Sequence, residues 1–284
     1  MNWVPLLFMD DVCHKLNKPE FTEVSQLSGS WPSFGSEHGK KRREFRFRCA
    51  LNGNQEVRYN LQETDWPHRE VTVEDLNLEF DRITYFTCGY AYLSDYRVSL
   101  REFERDVLPT IAPLVMHCCW QYSERSDQNR IFFKAFKNCP GFREIIVDEQ
   151  GEESRDFIAR QVWLGNVERL TLYGTDNWPE PEKLTETLKK FVSSTRFHKL
   201  YSRDPLRDDY KLFELFLERA LLKELKRGAH IITPAGNCDG NRLLALHPDC
   251  RDDSKKDAWR IPDSNLRIAL RHGYGMLDVE LKEE

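Results

Sequence analysis

Val167-Glu168-Arg169-Leu170 is the stretch that decides how the chain is read. An apolar residue, two charged residues and a second apolar residue lead into a short strand. Phe80-Asp81-Arg82-Ile83, Phe142-Arg143-Glu144-Ile145 and Phe197-His198-Lys199-Leu200 have the same form. Working outward, strand centres fall near Ile83, His117, Ile145, Leu170, Leu200 and Ile231, so successive centres are 25 to 34 residues apart. That range overlaps the periods of solenoid repeats. Helical patterns fill the intervals. Ser99-Leu100-Arg101-Glu102 reads as a capping box, in which serine and glutamate each bond the other's backbone N–H. Leu100, Phe103, Val107 and Leu108 form its buried face, with Pro109 and Pro113 ending or kinking the helix. Short helices are expected over 127–137 and 153–162. Leu184, Leu188, Phe191 and Val192 make one apolar stripe. The longest helix is expected from Asp209 to Arg227, with Gly228 as its C-terminal cap.

Strands alternating with helices at this spacing predict an α/β fold with parallel strands and right-handed crossovers. Stacked in one direction, the units give an open β-α solenoid resembling divergent leucine-rich repeats. A doubly wound sheet is the competing arrangement. The recurring strand-leading pattern, and the lack of a glycine-rich β-α turn, favour the solenoid. An antiparallel hairpin precedes the repeats: Phe45, Phe47 and Cys49 alternate with Arg46 and Arg48, Asn52-Gly53-Asn54 turns, and Val57 and Tyr59 return. A second hairpin closes the chain. Leu266, Ile268 and Leu270 alternate, His272-Gly273-Tyr274-Gly275 turns, and Met276, Leu277, Val279 and Leu281 return, as a cap for the open end. Residues 237–263 read as a long surface loop.

The first forty residues stand apart. Val4, Leu6, Leu7, Phe8, Val12 and Leu16 suggest a short amphipathic helix after Pro5. A second is expected through Phe21, Val24 and Leu27, followed by Trp31 and a turn-rich stretch to Gly39. The expected domains are therefore a helical module over 1–40, and a hairpin plus repeat-like domain with its cap over 41–284.

Composition narrows the function. The chain has 284 residues, with 42 basic against 47 acidic side chains and a net charge of −5. That balance argues against a general nucleic-acid binder. Mean hydropathy is −0.65, and the apolar run Trp3–Met9 is too short to span a bilayer, so no membrane association is expected. The eight cysteines are irregularly spaced, which suits a reduced, cytoplasmic or nuclear protein.

Catalytic and metal chemistry find little footing. His230, Cys238, His247 and Cys250 could ligate zinc, but only His247-x-x-Cys250 has the close pairing such sites use. His117-Cys118-Cys119 sets histidine beside thiols, yet neighbours on a strand point to opposite faces. Gly35-Ser36-Glu37-His38-Gly39-Lys40-Lys41 departs from a phosphate-binding loop in spacing and lacks its hydroxyl. No catalytic residue, metal or cofactor is expected, and the chain is read as a non-enzyme. Trp163, Trp178, Tyr173 and Tyr201 are expected near strand ends, where aromatics can anchor a partner.

The opening Val4-Pro5-Leu6-Leu7-Phe8-Met9-Asp10-Asp11-Val12-Cys13-His14-Lys15-Leu16, with Leu27 and Trp31, resembles a degenerate F-box. With the basic lead into the first hairpin and the Phe80-Asp81-Arg82-Ile83 segment, the whole arrangement is similar to a nematode-expanded family of F-box-like proteins. The resemblance implies a substrate-recruiting adaptor of a cullin-RING ubiquitin ligase. Val4, Pro5, Leu7, Phe8, Val12, Leu16 and Trp31 would bind a Skp-type adaptor protein, and the repeat-like domain would bind an unidentified protein substrate. The alternative is a binding scaffold whose N-terminal helices only cap the solenoid. Burial of Leu7, Phe8 and Val12 would distinguish the two.

Overall fold

The computed structural model describes residues 5–52, 55–89, 96–122, 130–175, 180–204, 206, 209–234, 243, 245–250, 258–273 and 276–283. The chain is mixed α/β and forms two compact units, Met1–Ala135 with Cys139–Phe142, and Phe136–Asn138 with Arg143–Glu284.

The first unit begins with α1 (Leu6–Lys15), α2 (Glu20–Val24) and α3 (Trp31–Lys41). Strands β1 (Glu44–Leu51) and β2 (Glu56–Glu63) form the expected antiparallel hairpin, with Cys49 opposite Tyr59. Gly53 and Asn54 of its turn lie outside the described residues. β3 (Glu70–Val71), β4 (Arg82–Cys88), β5 (Tyr96–Ser99) and β6 (Val115–Tyr122) complete an open mixed sheet. β4 lies between β1 and β6 and is parallel to both. β3 and β5 pair antiparallel with β2.

Strict alternation on β1 buries Phe45, Phe47, Cys49 and Leu51 and turns Glu44, Arg46, Arg48 and Ala50 to the other face. Phe86 and Trp120 sit opposite each other on β4 and β6, their rings 4.8 Å apart and nearly parallel. β6 bulges where His117 takes a positive φ of 51°. Cys118 is fully buried there while His117 is partly exposed, so the two side chains diverge as expected.

Between β5 and β6, Ser99 and Glu102 form the capping box in both directions. The helix continues as α4 (Leu100–Glu102), a widened turn and α5 (Leu108–Ile111). The Leu108 N–H reaches back to the Phe103 carbonyl just before Pro109, which has no N–H to give. α6 (Ile131–Phe136) follows.

In the second unit, β7 (Phe142–Asp148, entering this unit at Arg143), α7 (Glu152–Leu164), β8 (Arg169–Tyr173), α8 (Pro181–Val192), β9 (Lys199–Ser202), α9 (Asp209–Leu221) and β10 (His230–Pro234) alternate. The four strands are parallel and adjacent in chain order. A doubly wound sheet would reverse direction partway. α8 buries the predicted stripe, with Leu184, Leu188, Phe191 and Val192 all at most 4% exposed. The terminal hairpin is present: β12 (Leu266–Gly273) pairs with β13 (Met276–Glu283), Leu270 opposite Val279, and β13 pairs antiparallel with β10.

Three expectations are corrected. The stretch 31–39 is helix, not turn. Its glycines serve close packing: a methyl group on Gly35 would lie 2.8 Å from Val24 Cγ1. α9 stops at Leu221 rather than Arg227. Lys223 takes a positive φ of 61°, and Arg219 turns back to pair with Glu224. Within the expected surface loop, β11 (Ala258–Arg260) pairs with β12, and Trp259 is fully buried. Its indole N–H donates to the Leu246 carbonyl, which makes burial of the ring tolerable. Among the described residues no helix is long and apolar enough to cross a membrane.

Candidate functional site: the exposed apolar side of the N-terminal helices

Helices α1, α2 and α3 enclose a small core of Cys13, Phe21 and Val24, with Leu16, Trp31 and Phe34 packed against it. On α1 the inward stripe is Met9 and Cys13, four residues apart, continued by Leu16 just past the helix. Asn17 and Glu20 start α2 by bonding each other's backbone N–H.

The C-terminal end of α1 is held by side-chain donors from later in the chain. A helix leaves its last four carbonyls without internal partners. Arg42 donates to the Cys13 and Leu16 carbonyls at 3.0 Å each. Arg82 on β4 reaches the His14 carbonyl, and His117 Nε2 donates to the Lys15 carbonyl at 2.6 Å. Arg42 and Arg82 are only 4% and 5% exposed. Burial draws both below the usual guanidinium range, Arg82 to about 10 with help from its neighbour Arg42. The negative end of the helix dipole compensates such charges.

The other end of α1 faces solvent. Leu6, Leu7 and Phe8 are 60%, 85% and 54% exposed, and Leu27 after α2 is 50% exposed. These four are half of the eight large apolar side chains exposed among the described residues, so the exposure is concentrated on this module. Of the residues expected to bind a partner, Val4 lies outside the described residues. Pro5, Leu7 and Phe8 are exposed, whereas Val12, Leu16 and Trp31 are partly buried. Trp31 meets Phe8 edge-on at 6.4 Å. Leu16 belongs to the module's own core rather than to an outward face. Leu6 and Leu27 join the exposed set.

A polar cluster that sequence reasoning missed lies on the same helices. Asp10, His14 and His38 bring ligand-type atoms within 4.8 Å of one another. His38 Nε2 donates to Asp10 at 2.8 Å, and His14 Nε2 lies 3.3 Å from the same carboxylate. The His38 hydrogen bond is the main reason that Asp10 sits below its ordinary range. Burial against Phe21 and Phe80 pulls His38 below its own. The donor set does not suit a metal ion. A metal-bound imidazole needs its second nitrogen to donate to an acceptor. His14 Nδ1 instead accepts from the Arg82 guanidinium at 2.8 Å, and the buried His38 Nδ1 has no partner. Two buried arginines add repulsion. The triad is a hydrogen-bonded strut joining α1, α3 and β4. Its only sequence signal was Asp10 and His14 four apart on one helix.

The other candidate chemistries are not assembled. Cys238 and Trp178 lie outside the described residues, and no metal-type cluster among the described residues includes His230, His247 or Cys250. Burial pushes the Cys118 thiol well above its ordinary range, which leaves it a poor nucleophile. The glycine-lysine stretch 35–41 is part of α3. A pocket of about 450 Å³ between α7 and α8 is lined by Glu152, Arg155, Asp156 and Lys183 among others. Three of those charges are already paired, Arg155 with Glu149, Asp156 with Lys137, and Lys183 with Glu180, which also lines the pocket. Trp163 is 59% exposed, with Arg160 and Lys190 over its ring. Tyr173 and Tyr201 meet edge-on at 6.3 Å, partly exposed.

No protein-family model matches the chain, and no curated protein or solved structure is significantly similar to it.

Proposed function

We propose that the chain is a non-catalytic adaptor of the F-box-like kind. Its N-terminal helices dock a Skp-type partner, and its β-α units, read as divergent leucine-rich-like repeats, present a protein substrate. One observation carries the docking half. Leu6, Leu7, Phe8 and Leu27 are exposed on a module whose inner side is already filled and whose α1 is anchored at its far end. A helix that served only as a cap would spend its large apolar side chains inward. Exposed apolar groups collected on one module mark a partner site. The repeat half is supported by the chain-order run of parallel strands in the second unit. The reading places the protein in the cytoplasm or nucleus.

The test is a titration of the purified full chain against Skp-type adaptor proteins. Binding at about micromolar Kd or tighter is expected, weakened at least about tenfold by a Leu7→Asp, Phe8→Asp double variant. Both positions are more than half exposed, so the variant should stay folded, its thermal melt lowered only by loss of the Phe8–Trp31 contact. A well-folded chain that binds none of these adaptors would leave the helices as a cap and the protein as a scaffold without ligase docking.

A further inference from the structure

The sheet face of the first unit opposite its aromatic core carries a set of arginines without carboxylate partners among the described residues. Arg46 and Arg48 alternate with the buried Phe45, Phe47 and Cys49. Ala50, in the same alternating row, pairs with Arg58 of β2, and Arg58 pairs with Arg97 of β5. Cross-strand partners share a face. Four guanidinium groups therefore lie on the same side of three neighbouring strands.

No ion pair is made by any of the four among the described residues. Arg43, Arg155, Arg219 and Arg271 each have a carboxylate. Glu44 begins the Arg46–Arg48 row, Glu56 lies two residues from Arg58 and is hydrogen-bonded to Asn52, and Glu70 lies across from Gln62, yet none of the three comes within ion-pair distance of these arginines. The face is also incompletely hydrogen-bonded. The Nε atoms of Arg46 and Arg58 have no partner, nor does Oδ1 of Asn60, opposite Arg48. Arg46 stacks over the Tyr85 ring at 5.0 Å, and the Tyr85 hydroxyl donates to Gln121, which holds the ring in place. Arg48 is drawn below its usual range by burial and by Arg46. Like charges set this close repel, and an anion between them turns repulsion into paired, charge-assisted hydrogen bonds.

The spacing and the overall charge select the anion. Arg46 and Arg48 are two strand residues apart, roughly 7 Å, the distance between alternate side chains of an extended peptide. The net charge of −5 opposes a long polyanion more than a short acidic segment, since repulsion grows with the number of charges brought near. Arg46 already covers the Tyr85 ring, so among the described residues Tyr85 offers no free platform on which bases stack. We propose that this face binds an extended acidic peptide segment of a partner protein, whose alternate Asp or Glu carboxylates pair with Arg46, Arg48 and Arg58. The proposal does not rest on the adaptor reading, which uses a different surface.

The experiment is fluorescence anisotropy on the full chain with a labelled peptide of alternating Glu and Thr. Matched probes are an alternating Gln-Thr peptide and an oligothymidylate of equal charge. The Glu-Thr peptide is expected to bind, to weaken with added salt, and to lose at least about tenfold in affinity in Arg48→Gln, Arg58→Gln. The Leu7→Asp, Phe8→Asp variant should bind it as the parent does. Equal binding of the Gln-Thr peptide, no binding at about millimolar chain, tighter binding of the oligothymidylate, or full affinity in a folded Arg48→Gln, Arg58→Gln variant would each overturn the proposal. The probe comparison and the salt dependence use the unaltered chain, so they decide the matter even if that variant does not fold.

Discussion

Gly141 has no space for even one more carbon. A methyl group there would fall 1.8 Å from the Val115 carbonyl oxygen, and that oxygen belongs to the backbone of β6, so it cannot swing aside. The Cys118 N–H bonds the Gly141 carbonyl at 2.9 Å, which ties the same two segments together. Gly141→Ala should therefore lower stability by at least about 2 kcal/mol, at the upper end of overpacking costs, as measured by urea denaturation. A glycine is easily read as a turn, because its other use, letting two segments touch, depends on a neighbour far off in sequence. Gly35 and Gly39 misled in the same way: both lie inside α3, against Val24 and Phe21.

At the scale of elements, α1 shows how a helix of ten residues becomes a docking candidate. Alone it would be marginal, since isolated helices this short scarcely form in water. Arg42 holds two of its terminal carbonyls, 26 and 29 residues away in sequence. Arg42→Met keeps the apolar stem and removes both bonds. The expected result is a loss of about 2 kcal/mol, because the Leu16 carbonyl loses its Arg42 donor and the Cys13 carbonyl keeps only the Leu16 N–H at 3.3 Å. Hydrogen exchange should quicken along α1 first and least in β1. Uniform quickening across both would mean that the arginine supports the whole unit rather than the helix. The anchor explains why Leu6, Leu7 and Phe8 can stay exposed without loosening the module. Each sits at the end farthest from the arginines.

For the molecule as a whole, one buried and two partly buried histidines set the acid response. Burial holds His38 and His198 below the ordinary imidazole range, and brings His230 down to about 4. The unfolded chain takes up these protons near pH 6.5, whereas the folded chain resists until lower pH. Stability is therefore full above pH 6.5 and falls as pH drops toward 4. Asp278, raised by burial, acts in the opposite sense as one group against three. The part due to His230 should be on the order of 2 kcal/mol once screening is allowed for. Melts taken between pH 7 and pH 4 should show this decline, and His230→Gln should flatten it. A decline unchanged in that variant would assign the acid response to other groups.

The local chemistry of the chain was sufficient to place its parallel strands, both hairpins, the Ser99–Glu102 cap and the α8 stripe. Each depends on neighbours within a few residues, through alternation, helical periodicity or a reciprocal cap. Which apolar residues of α1 face inward was not legible. Leu7, Phe8 and Met9 are adjacent and alike, and only tertiary packing buries Met9 and Cys13 while leaving Leu7 and Phe8 exposed. Burial of Trp259 likewise needed a neighbouring strand to supply its cover. The Asp10–His14–His38 triad and the arginine face, without ion pairs among the described residues, also arose only on folding. Both join residues from separate elements, and whether a charge finds a partner is decided by the distances that packing imposes. Sequence determined what each segment could become, and tertiary structure decided which side chains were left free to meet another molecule.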